Sequence, residues 1–471
     1  MGNFFTTLNT AGQALDAFQR AIDVTQGNVT NANTPGYVKQ VAVLRSLDAG
    51  TGGSQVGGVL EQTQDTRSQY AETAVQQQVS LLGEYQQLQA SLTPLQTAFD
   101  VSSSSAIPSA LNQLFQSFSN WSAQPNDATA QANVISAAQQ TATAFQQTAA
   151  QLTTIRSATE ATMRSTVAQI NQDAAQIQAY NVAVSKEGGS NASLDSQLYS
   201  ALEDLSSLTD VQVIPGNGST VTVLLGGQTP LVIGEQMNAL QVQSNTSAGG
   251  NSPPNVSIVD STNKDVTSLV TSGSLYGLLT VRNSLIPSLA GGGQQVGDLN
   301  TLAKGLADAV NNVLAQGSTT STPPYQAGAP MFTYNSTSPT GVAASLSVNP
   351  ALTPGQLAAA DPGPPVVSNG TALKLAGLDN ATGGQINGLS FTQYFSTLVS
   401  RVGTAASNAN TAASAQAQLV TQAKNLRQQI SGVSIDDEAV NLIQLQSSYQ
   451  AVSKVVTIVD QLTQTLMNMV Q

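Results

Sequence analysis

The chain has 471 residues with no cysteine and no histidine, which excludes thiol nucleophiles, disulfides, Cys or His zinc sites and every His-dependent triad. Charged residues make up only 9% and aromatics 4%, against about 25% charged in ordinary soluble domains. The core must therefore rest on Leu, Val, Ile and Ala, under a surface of Gln, Asn, Ser and Thr. Uncharged amides and hydroxyls cost less to bury than ions, so such a surface suits an assembly subunit. The net charge is −12 and the fifteen Lys and Arg are scattered, which speaks against a nucleic-acid partner. No apolar run approaches the roughly 18 residues needed to span a bilayer. The first Arg is Arg20 and no basic region precedes an apolar stretch, so neither membrane insertion nor a cleaved signal peptide is expected. Met1-Gly2 with Thr6 fits the myristoylation pattern, although Gly2 also starts a plausible helix.

From the N-terminus, Leu8, Ala11, Leu15, Phe18, Ile22, Thr25 and Val29 recur at alternating steps of three and four. This is a heptad stripe on a helix of roughly 30 residues, about 45 Å long. The helix should stop near Asn33, because Thr34-Pro35-Gly36-Tyr37 reads as a type II turn: Pro35 fixes φ and Gly36 supplies the positive φ that follows. The Gly-rich residues 46–60 read as a linker, with no strand–glycine–helix context for binding phosphate. From Tyr70 to about Tyr180 the chain is rich in Ala, Gln and Leu at helical periodicity, cut into segments by Pro94, Pro108 and Pro125. Residues 150–180 read as one long helix, with Leu152, Ile155, Met163, Val167, Ile170, Ala174 and Ile177 on its stripe.

After Leu208 short runs of Val, Leu and Ile, broken by Pro215-Gly216, Gly226-Gly227 and Pro230, read as a small β-meander or pair of hairpins. A polar stretch from Ser244 to Pro254 follows, and helix returns over Leu269 to Leu289 and Val296 to Leu314. Ser318 to about Asn380 is dense in Pro, Gly, Ser and Thr and reads as irregular connections with a little strand. Helix resumes near Phe391 and, with a break at Gly432, runs to the C-terminus. There Leu442, Leu445, Tyr449, Val452, Val456, Val459, Leu466 and Val470 form a second heptad stripe, with Thr463 in the polar slot. Each stripe is too narrow to bury itself, so either the two ends pair with each other or with other chains, or they are two amphipathic helices of an ordinary globular bundle.

No catalytic, cofactor or metal constellation emerges. Asp436, Asp437 and Glu438 read as a helix cap complementing the positive helix N-terminus, with Ser434 and Asp437 in capping-box spacing. Consecutive helical residues do not face one another, so a metal or acid–base role for the trio is disfavoured. Asn-x-Ser/Thr triplets such as Asn120, Asn191 and Asn255 are expected by chance in this composition.

Both ends carry recognisable motifs. NVTNANTPGYVKQ from Asn28 to Gln40 resembles the N-terminal signature of flagellar axial proteins, and the stretch from Ser431 onward resembles the matching C-terminal signature. Interior stretches are similar to the hook-associated protein 1 (FlgK) family: Leu111 to Asp127, Val167 to Asn181, Leu202 to Val213, Gly226 to Gly234, Ser272 to Pro287 and Ser347 to Ala360. The resemblance implies a structural adaptor between hook and filament, exported by the flagellar apparatus and residing outside the cell; a hook or rod subunit is the alternative. It implies self-assembly into a ring, contacts with hook protein and with a second junction protein on the filament side, and an export chaperone at the C-terminal helix. The chain is short for that family, which implies a reduced or absent outer domain between Phe332 and Ala343.

The expected fold is mainly α with a small β part: terminal helices paired as a coiled coil, a long-helix bundle in the middle and a short β-meander insertion. Residues 1–45 with 425–471 form the terminal assembly domain. Residues 46–207 with 265–317 and 385–424 form the helical bundle, 208–260 the β segment, and 318–384 the irregular segment. The expected assembly surface is Leu8, Leu15, Phe18 and Ile22 against Leu442, Tyr449, Val452 and Val459, with Asn33, Pro35, Gly36 and Tyr37 setting the exit of the first helix.

Overall fold

The computed structural model describes residues 2–34, 36–47, 58–244, 253–379 and 386–469. Pro35, most of the Gly-rich and polar stretches, Val470 and the side chain of Leu466 lie outside the described residues. Helix α1 (Gly2–Asn31) leads through the Gly36 turn into a hairpin of β1 (Gln40–Leu47) and β2 (Gly58–Asp65), in register from Gln40↔Asp65 to Leu47↔Gly58. Helices α2 (Gln69–Ala98), α3 (Ile107–Ala123), α4 (Ala128–Glu187) and α5 (Ala192–Leu208) follow. A four-stranded antiparallel meander takes the order β3 (Val211–Pro215), β4 (Val221–Leu225), β5 (Thr229–Ile233), β6 (Gln236–Met237), and β7 (Gln241–Ser244) pairs with β8 (Val256–Val259).

The chain continues through α6 (Gly273–Thr280), a π-helical turn over Val281–Leu285, α7 (Ile286–Ala290) and α8 (Asp298–Gln316). Two short strands, β9 (Phe332–Thr333) and β10 (Ser347–Val348), flank α9 (Val342–Ser345). The last helices are α10 (Gly370–Gly377), α11 (Phe391–Ser431) and α12 (Ile435–Met469). The break at Gly432 falls where the sequence placed it: an added Cβ there would lie 2.3 Å from the Gln428 carbonyl oxygen.

Helix α4 is the spine. Its 60 residues extend about 90 Å at 1.5 Å per residue. Asp127 starts it by accepting from the Thr129 and Ala130 amides, and Gly188 ends it in the left-handed conformation at φ 73°. Two apolar cores form along this one helix. The N-terminal half, from Val134 to Leu152, packs with the end of α2, with α3, α8 and α10, and with the start of α11. The C-terminal half, from Met163 to Val184, packs with α5, the meander and α6. Between them lies a charged waist, where buried Arg282 of the π turn pairs with Glu160 and donates to the Pro254 carbonyl at 2.9 Å, and Arg156 donates to the Gly291 carbonyl at 2.7 Å.

Two local expectations change. Pro94 does not end α2, which runs on to Ala98, whereas Pro108 starts α3 and Pro125 precedes α4. A proline is cheapest in a first turn, where no intrahelical amide is lost. The segment from Ser318 to Asp379 is irregular as expected, yet it packs into the first core: Met331, Phe332, Val342, Ala343, Leu346, Leu357, Ala358, Ala372 and Leu375 are all buried there. Irregular backbone does not imply an exposed segment when the apolar side chains are spaced to reach a neighbouring core. Phe332 and Ala343 are joined by a short connection holding one 3-10 turn, Pro339–Gly341.

Candidate assembly site: the paired termini and their joint

Helices α1 and α12 pack along each other in opposite directions, since Asn28 near the end of α1 meets Glu438 in the first turn of α12. On α12 the stripe Leu442, Leu445, Tyr449, Val452, Val456 and Thr463 is half-buried and Val459 is buried at 9% exposure. A second row on the same helix stays in solvent: Val440, Ile443, Val455, Ile458 and Leu462, with Ile443 64% exposed. At 100° per residue this row lies roughly 140° around the helix from the inner stripe.

On α1, Ala11, Ala17, Ala21, Ile22 and Thr25 are buried and Leu15 and Phe18 are half-buried, while Leu8 (39%) and Val29 (40%) are exposed. Val29 is turned out of the seam, and its neighbour Asn28 takes the inward position instead. Asn28 is 1% exposed. Its Oδ1 accepts from the Gln40 amide (2.9 Å) and the Tyr37 hydroxyl (3.0 Å), and its Nδ2 donates to the Gln40 carbonyl (2.8 Å) and to Glu438 Oε2 (2.9 Å). That satisfies all four positions of an amide and makes the side chain a substitute strand partner for Gln40.

Glu438 corrects the reading of the acidic trio. Asp436 and Asp437 are exposed at the helix start, and the Asp437 amide donates to Ser434 Oγ at 3.4 Å. Glu438 is buried instead, with Lys39 Nζ 2.8 Å from Oε1 and Asn28 on Oε2. Stepping back four residues from Leu442 lands on it, so its inward position could have been read from the stripe. Burial, and then the Glu438 charge, push the neighbouring Tyr37 hydroxyl above its ordinary pKa.

In the turn after α1 the Tyr37 amide donates to the Thr34 carbonyl at 3.1 Å and Gly36 has φ +74°. Asn33 and Thr34 are exposed, and Pro35 lies outside the described residues. The structure adds a second requirement for glycine, because a Cβ at position 36 would lie 2.5 Å from the Ser196 carbonyl oxygen of α5. The motif turn is thus the point where the terminal unit rests on the middle of the molecule.

Around that point lies a charged cluster that sequence reading missed entirely. Arg67, between β2 and α2, donates to Glu72 at 2.7 Å and to the Gly36 carbonyl at 2.8 Å, and stacks 3.6 Å over the Tyr199 ring. Arg427 of α11 bridges the other Glu72 oxygen (3.0 Å) and Glu203 (2.9 Å), and Lys424 pairs with Glu203 at 2.6 Å. Burial works to raise Glu203, but the Lys424 hydrogen bond and the Arg427 and Lys424 charges outweigh it and hold the carboxyl below its ordinary range. These residues come from four separated stretches, and no local periodicity connects them. Beside the cluster opens a cleft of about 1050 Å³, walled by α1 and the hairpin base on one side and by α5 and β3 on the other.

Among the described residues, no group of three or more acidic residues converges as a metal site, and no helix is long and apolar enough to cross a membrane. The fold and the paired termini define a class: elongated helical subunits whose first and last helices form one unit, as in the axial proteins of the bacterial flagellum. A model described as the flagellar hook-associated protein FlgK helical domain matches residues 92–332, just over half of the chain. Models of the flagella basal body rod protein and of the flagellar basal body rod FlgEFG protein C-terminal region match residues 8–37 and 427–469. The chain belongs to the FlgK family of flagellar hook-associated proteins. It is 26% identical to flagellar hook-associated protein 1 of Bacillus subtilis (strain 168) over 99% of both chains. To flagellar hook-associated protein 1 of Escherichia coli (strain K12) it is 23% identical, over 64% of this chain and 56% of that one. The solved structure of the flagellar hook junction protein FlgK from Burkholderia pseudomallei shares the fold, with TM-score 0.64 and 17% identity, over 77% of this chain and all of that one.

Proposed function

We propose that the chain is a structural subunit of the hook–filament junction, exported through the flagellar apparatus and assembled outside the cell at the hook tip. The observation that carries this is the family match through the interior, residues 92–332, flanked by rod-type matches at both ends. The terminal matches alone would equally suit a hook or rod subunit; the interior one favours the junction. The role is mechanical and not catalytic, in keeping with a chain devoid of His and Cys.

The α1–α12 unit is the assembly element. Its inner seam, with Leu15, Phe18 and Ile22 on one helix and Leu442, Tyr449, Val452 and Val459 on the other, holds the pair together. Leu8 and the outer row of α12 are left for neighbouring subunits, which completes a ring. Hook protein on one side and a second junction protein on the other are its partners, and α12 is the segment an export chaperone would cover before assembly. A strain lacking the gene is expected to make intact hooks without filaments and to lose filament protein into the medium, as seen by electron microscopy and assay of the medium. Missing hooks would move the protein to the hook or rod class, and normal filaments would refute the axial role.

A further inference from the structure

We propose that Arg67 is a positioning residue that fixes the tilt of the α1–α12 unit on the middle of the molecule, acting as a strut between the Gly36 turn and the Glu72–Arg427–Glu203 cluster. The apolar clusters stop short of the terminal unit. Both large cores lie within α2 to α11, and the small third cluster, Val75, Val79 and Val420, also joins only α2 to α11. None of these clusters contains a residue of α1 or α12. Among the described residues, hydrogen bonds cross this joint: the Lys39 amide on the Ser431 carbonyl (2.9 Å), Thr66 on the Lys39 carbonyl, Ser431 Oγ on the Thr66 carbonyl (3.0 Å), and Arg67 on the Gly36 carbonyl. Polar contacts fix direction well and resist shear poorly, because each gains little net free energy over its water-bonded alternative. The cleft on one side leaves room for the unit to swing. Ser196, which also lines that cleft, stands against the Gly36 turn and limits the swing.

Arg67 sits where these features meet. It is the buried cation that grips the turn, and it is held from the opposite side by Glu72 and the Tyr199 ring. Arg427 then ties Glu72 to α11, so the strut is anchored to two helices. Four of the fifteen Lys and Arg, namely Lys39, Arg67, Lys424 and Arg427, stand at this joint in a chain otherwise poor in charge. The fork geometry of arginine is what the site uses. A lysine would keep the charge but could not bond Glu72 and the Gly36 carbonyl in fixed directions while stacking on Tyr199.

The absence of native cysteine makes the test direct. Spin labels at Asp16→Cys on α1 and Thr421→Cys on α11, both exposed positions, report the tilt in the full-length chain by pulsed electron–electron distance measurement. The single tryptophan, Trp121, is fully buried in the first core and reports the integrity of the middle through its fluorescence. One narrow distance peak is expected with Arg67 in place. With Arg67→Lys the single peak is lost to a broad or shifted distribution while Trp121 emission and its thermal midpoint stay unchanged, and Arg67→Ala does the same more strongly. An Arg67→Lys chain that keeps the narrow peak overturns the proposal, as does a broad distribution with Arg67 present. If Arg67→Ala exposes Trp121, that variant reports folding and Arg67→Lys alone decides.

Discussion

The middle and the terminal unit solve the same problem with opposite means. The middle wraps two continuous apolar cores around one 60-residue helix, so most of its large side chains are out of water. The terminal unit has a single seam, leaves the outer row of α12 exposed, and is fastened by an amide, two ion-pair groups and a few backbone bonds. Burying a Leu or Val side chain contributes about 1.5–3 kcal/mol, while a net hydrogen bond contributes about 1 kcal/mol. The middle thus carries most of its apolar burial within itself, and the terminal unit keeps an apolar row in solvent, the surface we propose other subunits cover.

That contrast can be broken from either side. The largest effect is expected from Val452→Asp or Tyr449→Asp, which place an unpaired charge in the α1–α12 seam. Either should abolish incorporation at the hook tip while leaving the Trp121 thermal transition in place; normal filaments from such a strain would remove the seam from the assembly site. Next, Leu302→Ala in the first core, where Leu302 is fully buried, should cost about 2–5 kcal/mol in denaturant unfolding followed by Trp121. The chemically similar Val452→Ala should leave that transition where it is.

Glu438→Gln keeps an acceptor for Asn28 but leaves Lys39 without its partner, and should weaken the terminal unit by about 2 kcal/mol. Amide exchange should rise at the first turns of α12 and at the β1–β2 base and remain unchanged in α4. Gly36→Ala combines a left-handed backbone with a Cβ 2.5 Å from the Ser196 oxygen. A left-handed non-glycine residue alone costs about 1–2 kcal/mol, and exchange at the start of α5 reports the displaced contact.

The smallest effect sharpens the comparison inside the middle. Asp173 of α4 is buried, with Oδ2 unpartnered and Oδ1 bonded to Gln169 at 2.8 Å. Burial, reinforced by the Asp204 charge, pushes its carboxyl above the ordinary value of 3.8. The sign follows: stability from protonated Asp173 is fully present below the ordinary aspartate range and is lost as pH rises through the raised folded value. Asp173→Asn should therefore melt slightly higher than the parent near neutral pH, with the difference shrinking on acidification; a difference that stays constant with pH would refute the assignment.

Much of this molecule was legible one residue after another. The two stripes, the turn at Gly36, the break at Gly432 and the meander after Leu208 are periodic or local signals, and periodicity needs no knowledge of the rest of the chain. The FlgK-type interior was legible too, as ordered likeness over most of the length. What only the tertiary structure decided is polar and long-range. Asn28 meets Glu438 across 410 positions and Arg427 meets Glu72 across 355, and a charged side chain carries no local mark that separates a buried partner from a solvated cap. The same holds for the segment after Ser318, whose irregular backbone was read correctly but whose burial depends on a core built by α3, α4 and α8. Sequence by itself determined which stretches would be helices and which faces needed covering; the distances between those stretches, and so the joint at Arg67, were fixed only by how the helices pack.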